Sequence, residues 1–132
     1  MASRPILSFY SPDSREVAEW SATAHKVMHR VAAALEERGF TIDFEFGRHM
    51  PDWMFLVYRG DSAFVVALAI FGTTPPPPCK WFIGLVDRIH CDQPVESDIQ
   101  AEVHPLLEAV VGASPRVFGL RWHPDGSTLR EI

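Results

Sequence analysis

Phe40-Thr41-Ile42-Asp43-Phe44-Glu45-Phe46 decides the fold class. Its apolar residues fall on every second position, so Phe40, Ile42, Phe44 and Phe46 share one face of an extended chain. Thr41, Asp43 and Glu45 share the other, which marks a strand with one buried and one wet side. The residues just before it keep a different period. Val17, Trp20, Ala24, Val27, Val31, Ala34 and Leu35 recur at spacings of three and four, the signature of an amphipathic helix. Ser11-Pro12-Asp13 offers a start for that helix, with Ser as cap and Pro at the first helical position, and Asp13 with Glu16 offers a capping box. Gly39 is a natural stop, because a left-handed backbone costs glycine little.

Outward from this switch the pattern continues in strands. Trp53 to Arg59 reads as a second strand, closed by a turn at Gly60-Asp61. Ala63 to Phe71 is apolar throughout and reads as a central strand covered on both faces. Lys80 to His90 reads as a fourth, reached through Gly72-Thr73-Thr74 and the prolines Pro75, Pro76, Pro77 and Pro78. A second helix is expected from about Asp98 to Val111, with Ser97 and Gln100 as a capping box and Ile99, Val103, Leu106, Leu107 and Val110 as its stripe. Pro105 interrupts it, so the helix either kinks there or begins there. Gly112 and Pro115 end it. Arg116 to Trp122 is the last strand, His123-Pro124-Asp125-Gly126 a turn, and 123–132 a loose tail.

The expected order is therefore α-β-β-β-β-α-β over one domain, 1–132. Short connections between consecutive strands favour antiparallel pairing. The expected class is α+β: a mostly antiparallel five-stranded sheet, with both helices on the face bearing Phe40, Ile42, Phe44 and Phe46.

Composition agrees with a folded domain. The 132 residues are 47% hydrophobic and 22% charged, with a net charge of −5. An acidic chain is repelled by phosphate backbones, and Arg116, Arg121 and Arg130 are too dispersed to make a basic patch, so no nucleic-acid partner is expected. The N-terminus lacks a signal-peptide pattern, and Ala63 to Phe71 is far shorter than the roughly 20 residues of a membrane-spanning helix. A cytoplasmic location without membrane contact is the expectation. Cys79 and Cys91 are then reduced thiols.

Few residues form a catalytic pattern. His25 and His29 lie four apart on one helix face and could chelate a metal, but Lys26 stands where a zinc protease needs glutamate. Two surface or half-buried histidines explain the pair as well. His90, Cys91 and Asp92 cluster in sequence, yet neighbours on a strand point to opposite faces, which suits proton transfer badly. Pro51-Asp52 followed by strands invites comparison with magnesium nucleases, whose third strand carries an acid and a lysine. Phe64 to Ile70 carries no charge, so that chemistry is missing. Asp43 and Glu45 lie close on a wet strand face with nothing to tune either carboxyl, which favours two solvated charges over a glycosidase pair. No phosphate loop, dinucleotide fingerprint or metal-finger spacing occurs. No catalytic residue, cofactor or resident metal is assigned.

The aromatic residues carry the functional expectation. Along the fourth strand Trp81, Ile83 and Leu85 face one way and Phe82 and Val86 the other, so both faces are greasy. Helices cover one. The other needs the chain's own loops, a partner, or a second copy. The leading expectation is a non-enzymatic protein-binding module whose partner is a protein, with a basic surface as complement to the negative chain, or a homodimer. Its contact residues are Trp53, Trp81, Ile83, Asp43, Glu45 and the stiff run Pro75, Pro76, Pro77 and Pro78. In size and charge alone, the chain resembles small acidic bacterial immunity proteins, which implies an inhibitor that covers a toxin's active site. The alternatives are a small metal-binding or thiol-dependent enzyme using His25 and His29 or His90 and Cys91, and a homodimer with a structural or regulatory role.

Overall fold

The computed structural model describes residues 5–13, 17–45, 53–70, 78–87 and 95–124. The class is α+β. In chain order the elements are β1 (Ile6–Ser11), α1 (Val17–Glu37), β2 (Thr41–Asp43), β3 (Met54–Arg59), β4 (Ser62–Ile70), β5 (Cys79–Asp87), α2 (Ser97–Gly112) and β6 (Phe118–His123). The strands form one sheet in the order β2-β3-β4-β5-β1-β6, with every neighbouring pair antiparallel.

The sheet has six strands rather than the expected five. The additional strand is β1, which precedes α1 and lies between β5 and β6. Ser11 therefore ends a strand rather than capping a helix. Leu7 and Phe9 turn inward and are closed to solvent, while Ser8 and Tyr10 face the other way. That alternation was present in the sequence, but a first element begun at Ser11-Pro12-Asp13 leaves the residues before it unassigned.

Period two carries β2 only as far as Asp43. The Asp43 carboxylate accepts the backbone N–H of Glu45 at 2.9 Å, an Asx turn that bends the chain out of the sheet. Gly39, at φ +86°, ends α1 as expected. Beyond it the Phe40 N–H returns 3.2 Å to the Leu35 carbonyl, a Schellman-type closure. The second helix runs from Ser97 straight through Pro105, whose ring lies on the exposed side. Its cap differs from the expected box. The position before the helix is Glu96, which makes no side-chain cap, and Gln100 instead donates to the Val95 carbonyl at 2.7 Å. Arg116 belongs to a turn, not to the last strand. His123 is the end of β6 and 1% exposed, not the start of a tail.

Both helices cover one side of the sheet. Met28, Val31 and Leu35 of α1 and Val103, Leu107 and Val111 of α2 join Leu7, Phe9, Phe55, Phe64, Val66, Trp81 and Ile83 in one buried cluster. Aromatic stacking continues across it. Trp81 lies against Phe9 with centroids 6.2 Å apart and against Trp53 at 5.8 Å, and Trp53 meets Trp20 edge-on at 6.4 Å. Arg59 ties β3 to α2 by a bidentate pair with Glu102 (2.6 and 3.0 Å), donates to the Arg38 carbonyl, and lies 4.0 Å over the Phe40 ring. Among the described residues, no helix is long and apolar enough to cross a membrane.

Candidate docking surface

Directly opposed residues in an antiparallel sheet share a face. The register therefore fixes what the side away from the helices presents. One row runs Ala69, Phe82, Ser8, Arg121 across β4, β5, β1 and β6. The next runs Met54, Ala67, Gly84, Ile6, His123, and a third pairs Asp43, Leu56, Val65 and Val86. Lys80, Tyr10 and Phe118 make a row at the far end. Most of this reverse face is apolar, and no described helix lies on it.

The rows differ in exposure. Leu56 and Val65 are nearly closed, at 7% and 6%. Ile6, Ala67, Ala69, Phe82, Gly84 and Val86 are half-buried and line a shallow groove of about 190 Å³. The groove exists because Ala67, Ala69 and Gly84 are small while Phe82 and Val86 stand up beside them. At the β6 end, Phe118 is 48% exposed and stacks on Tyr10 at 5.8 Å. The Ser8 hydroxyl, below the surface, is 2.8 Å from Nε2 of His123 and 3.3 Å from the Arg121 carbonyl.

A bulge shapes this edge. The β1–β6 register slips between Ser8 and Tyr10, and Gly119 takes φ +67° there. A Cβ on Gly119 would lie 2.9 Å from the Tyr10 ring. Glycine is thus required both for the backbone angle and for the ring's close approach. The kink also makes β6 a poor template for another strand, which leaves the face rather than the edge open to contact.

The expected contact residues divide. Trp81 and Ile83 are withdrawn from the docking surface: both are 0% exposed. Their partners in register, Phe9 and Leu7, set them beneath the helices. Trp53 is half-buried on the same inner side, held by Trp20 and Trp81. Asp43 is on the reverse face and half-buried, and Glu45 is exposed just past the strand end. Pro78 is exposed, whereas Pro75, Pro76 and Pro77 lie outside the described residues, as do Pro51, Asp52, His90, Cys91 and Asp92. Sequence reading missed Tyr10, Lys80, Phe118 and Arg121. The Leu-Ser-Phe-Tyr alternation of β1 was the signal that could have found them.

Of the residues named for metal or thiol chemistry, His90 and Cys91 lie outside the described residues. His25 and His29 are exposed, with ring centroids 4.1 Å apart, and His29 stacks on Phe44 at 4.9 Å. Among the described residues, no three His, Cys, Asp or Glu side chains gather closely enough to hold a metal ion. Cys79 is buried, and its Sγ donates to the Asp13 carbonyl at 3.4 Å. Burial, followed by the charges of Asp13 and Glu19, pushes its thiol up, away from the reactive thiolate.

A second polar centre lies on the helix side. Asp13 is fully buried, and its Oδ2 accepts the hydroxyls of Ser11 (2.7 Å) and Thr23 (2.6 Å). Ser11 in turn accepts the indole N–H of Trp81 at 2.9 Å. The other oxygen, Oδ1, is 3.1 Å from Arg116 but receives no aligned hydrogen bond, so the contact is mainly one of charge. Val117 N–H returns to the Ser114 carbonyl at 3.3 Å, and Arg116 has φ +70°. These are the marks of a type II turn with Pro115 second and Arg116 in the place glycine usually takes. The centre ties β1, α1 and the α2–β6 turn together.

No protein-family model, curated protein or solved structure matches the chain.

Proposed function

We propose that this chain is a non-enzymatic protein-binding module acting in the cytoplasm, and that the side of its sheet away from the helices receives the partner. One observation carries the reading: the half-buried apolar groove of Ile6, Ala67, Ala69, Phe82 and Val86, on a face with no described helix against it. Apolar area that leaves water on contact stabilises a complex by about 25 cal/mol per Å² before the costs of association. Small residues flanked by Phe82 form a pocket of the kind that anchors a partner side chain. An immunity-type inhibitor is the concrete version of this reading, in which the face closes over the working surface of a toxin.

The test uses the intact chain as bait in extract of its native host, beside an Ala69→Arg variant. A charged side chain standing in the groove blocks docking without entering the helix-side core. The expected result is a stoichiometric partner held by the wild type and lost by the variant, with both proteins melting at similar temperature. Equal recovery by both, or no stoichiometric partner, refutes the reading. Sedimentation at micromolar concentration tests whether a second copy of the chain is the occupant.

A further inference from the structure

A cleft of about 280 Å³ opens on the helix side, between α1 and the turn that joins α2 to β6. Ala18, Ala22 and Lys26 follow one another at spacings of four along α1, so they form one row on its surface. The two alanines leave the space, and Lys26 stands exposed at the end of the row. Ser114, Pro115 and Arg116 make the opposite wall. Arg116 is its unusual member, because at φ +70° it occupies a backbone region that is strained for arginine and free for glycine. Its side chain is 54% exposed and lies 3.1 Å from Oδ1 of the buried Asp13. That oxygen accepts no hydrogen bond, so the N–H fork of Arg116 is not committed to it. Among the described residues Lys26 has no hydrogen-bond or ion-pair partner. Glu19 also borders the cleft and is engaged elsewhere. The hydroxyl protons of Thr23 and Ser114 go to Asp13 and to the Val110 carbonyl, so the donors facing the cleft are those of Lys26 and Arg116. Asp13 compensates one of these two cations, which leaves a place for one negative charge.

We propose that this cleft binds a small organic monocarboxylate. The fork of Arg116 and the ammonium of Lys26 take the carboxylate, and its short apolar body lies along Ala18, Ala22 and Pro115. A planar guanidinium matches a carboxylate with two parallel hydrogen bonds, and lysine adds a point charge. Asp13 is then a positioning residue whose charge holds the guanidinium at the turn. A purely structural tie between Asp13 and Arg116 needs only that charge. It gives no role to the uncommitted fork, to Lys26 on the facing wall, or to the space between them. The site is separate from the reverse sheet face and does not depend on what docks there. A ligand that touches both α1 and the turn also raises the stability of the folded chain by mass action.

Titration of the intact chain with acetate, hexanoate and benzoate tests this, read by backbone amide NMR shifts and by the thermal midpoint. Hexanamide and inorganic phosphate are the comparison probes. The expected result is saturable shifts at Ala22, Lys26, Ser114 and Arg116 and a raised midpoint with at least one carboxylate at millimolar concentration, no matching response to hexanamide, and weaker binding of phosphate. Lys26→Gln and Arg116→Lys each lower that affinity at least fivefold, the latter because it keeps the charge beside Asp13 and lacks the fork. Ala22→Leu, which fills the cleft, abolishes binding, whereas Arg121→Gln on the reverse face leaves it unchanged. Equal response to hexanoate and hexanamide, tighter binding of phosphate, or affinity indifferent to Lys26→Gln and Ala22→Leu overturns the inference. So does the absence of saturable shifts with all three carboxylates.

Discussion

Replacing Arg116 by glycine has two opposing effects, and the structure tells which prevails. At φ +70° a residue with a Cβ costs about 1–2 kcal/mol. Glycine removes that strain but adds unfolded-chain entropy of about 0.5–1 kcal/mol, so the net relief is about 1 kcal/mol. Against this stands the loss of the cation 3.1 Å from a fully buried carboxylate oxygen. Removing one partner of a wholly buried pair costs about 3–5 kcal/mol. Arg116 is 54% exposed on its side chain, so water can follow it, and about 1–3 kcal/mol is the appropriate figure. Arg116→Gly is therefore expected to destabilise the native chain by about 1 kcal/mol. In an Asp13→Asn background the charge to be compensated is gone and only the strain remains. There the same substitution should stabilise by about 1 kcal/mol. Urea unfolding of the four proteins in this double-mutant cycle reads both values. If Arg116→Gly stabilises both backgrounds equally, the charge pair contributes nothing, and if it fails to stabilise the Asp13→Asn chain, the account of the strained turn is wrong.

Gly119→Ala should cost about 2 kcal/mol, because it combines a left-handed backbone with a 2.9 Å approach to a stacked Tyr10 ring, and a lowered thermal midpoint checks this. Trp81→Phe keeps the inner stack but removes the donor to Ser11, for an expected loss of about 1–2 kcal/mol in urea. In a Ser11→Ala background the hydrogen-bond share of that loss should disappear, while the cavity left by the smaller ring remains. His104 packs on Trp122 at 4.9 Å, and burial lowers its pKa. The unfolded chain thus takes a proton at this residue before the folded one does. Stability contributed here is complete above about pH 6.5 and falls as pH drops through that value toward the lowered folded one. The pH dependence of unfolding should lose this step in His104→Gln, and an unchanged profile would show that His104 is not its source.

Where one period dominated, the sequence announced the element. The stripe on α1, the alternation entering β2, the apolar run of β4 and the stripe on α2 all appear where the spacing put them. Tertiary pairing decided the rest. Ile6–Ser11 is short and mixed, and its strand character depends on hydrogen bonds to β5 and β6, which lie far along the chain. The same omission misdirected the site. Greasy residues on both sides of β5 were legible, but which side meets the helices was not. Trp81 and Ile83 became core residues because Phe9 and Leu7 of the unrecognised β1 sit beside them. Phe82 and Val86 were thereby left for the outer face. The nearness of Lys80 and Arg121 was invisible for a related reason, since they are 41 positions apart and only β1 between their strands brings them onto one face.

The place of β1 also bears on how the molecule is made. It is the first described strand to leave the ribosome, yet its neighbours are β5 and β6, and the contact of Ser8 with His123 spans 115 positions. The hairpins of β3, β4 and β5 can close early through local pairing, whereas β1 must wait until β6 has emerged. During synthesis Leu7 and Phe9 remain unpaired the longest, which makes this short stretch the natural point of contact for folding helpers and the first place for misassembly when translation stalls.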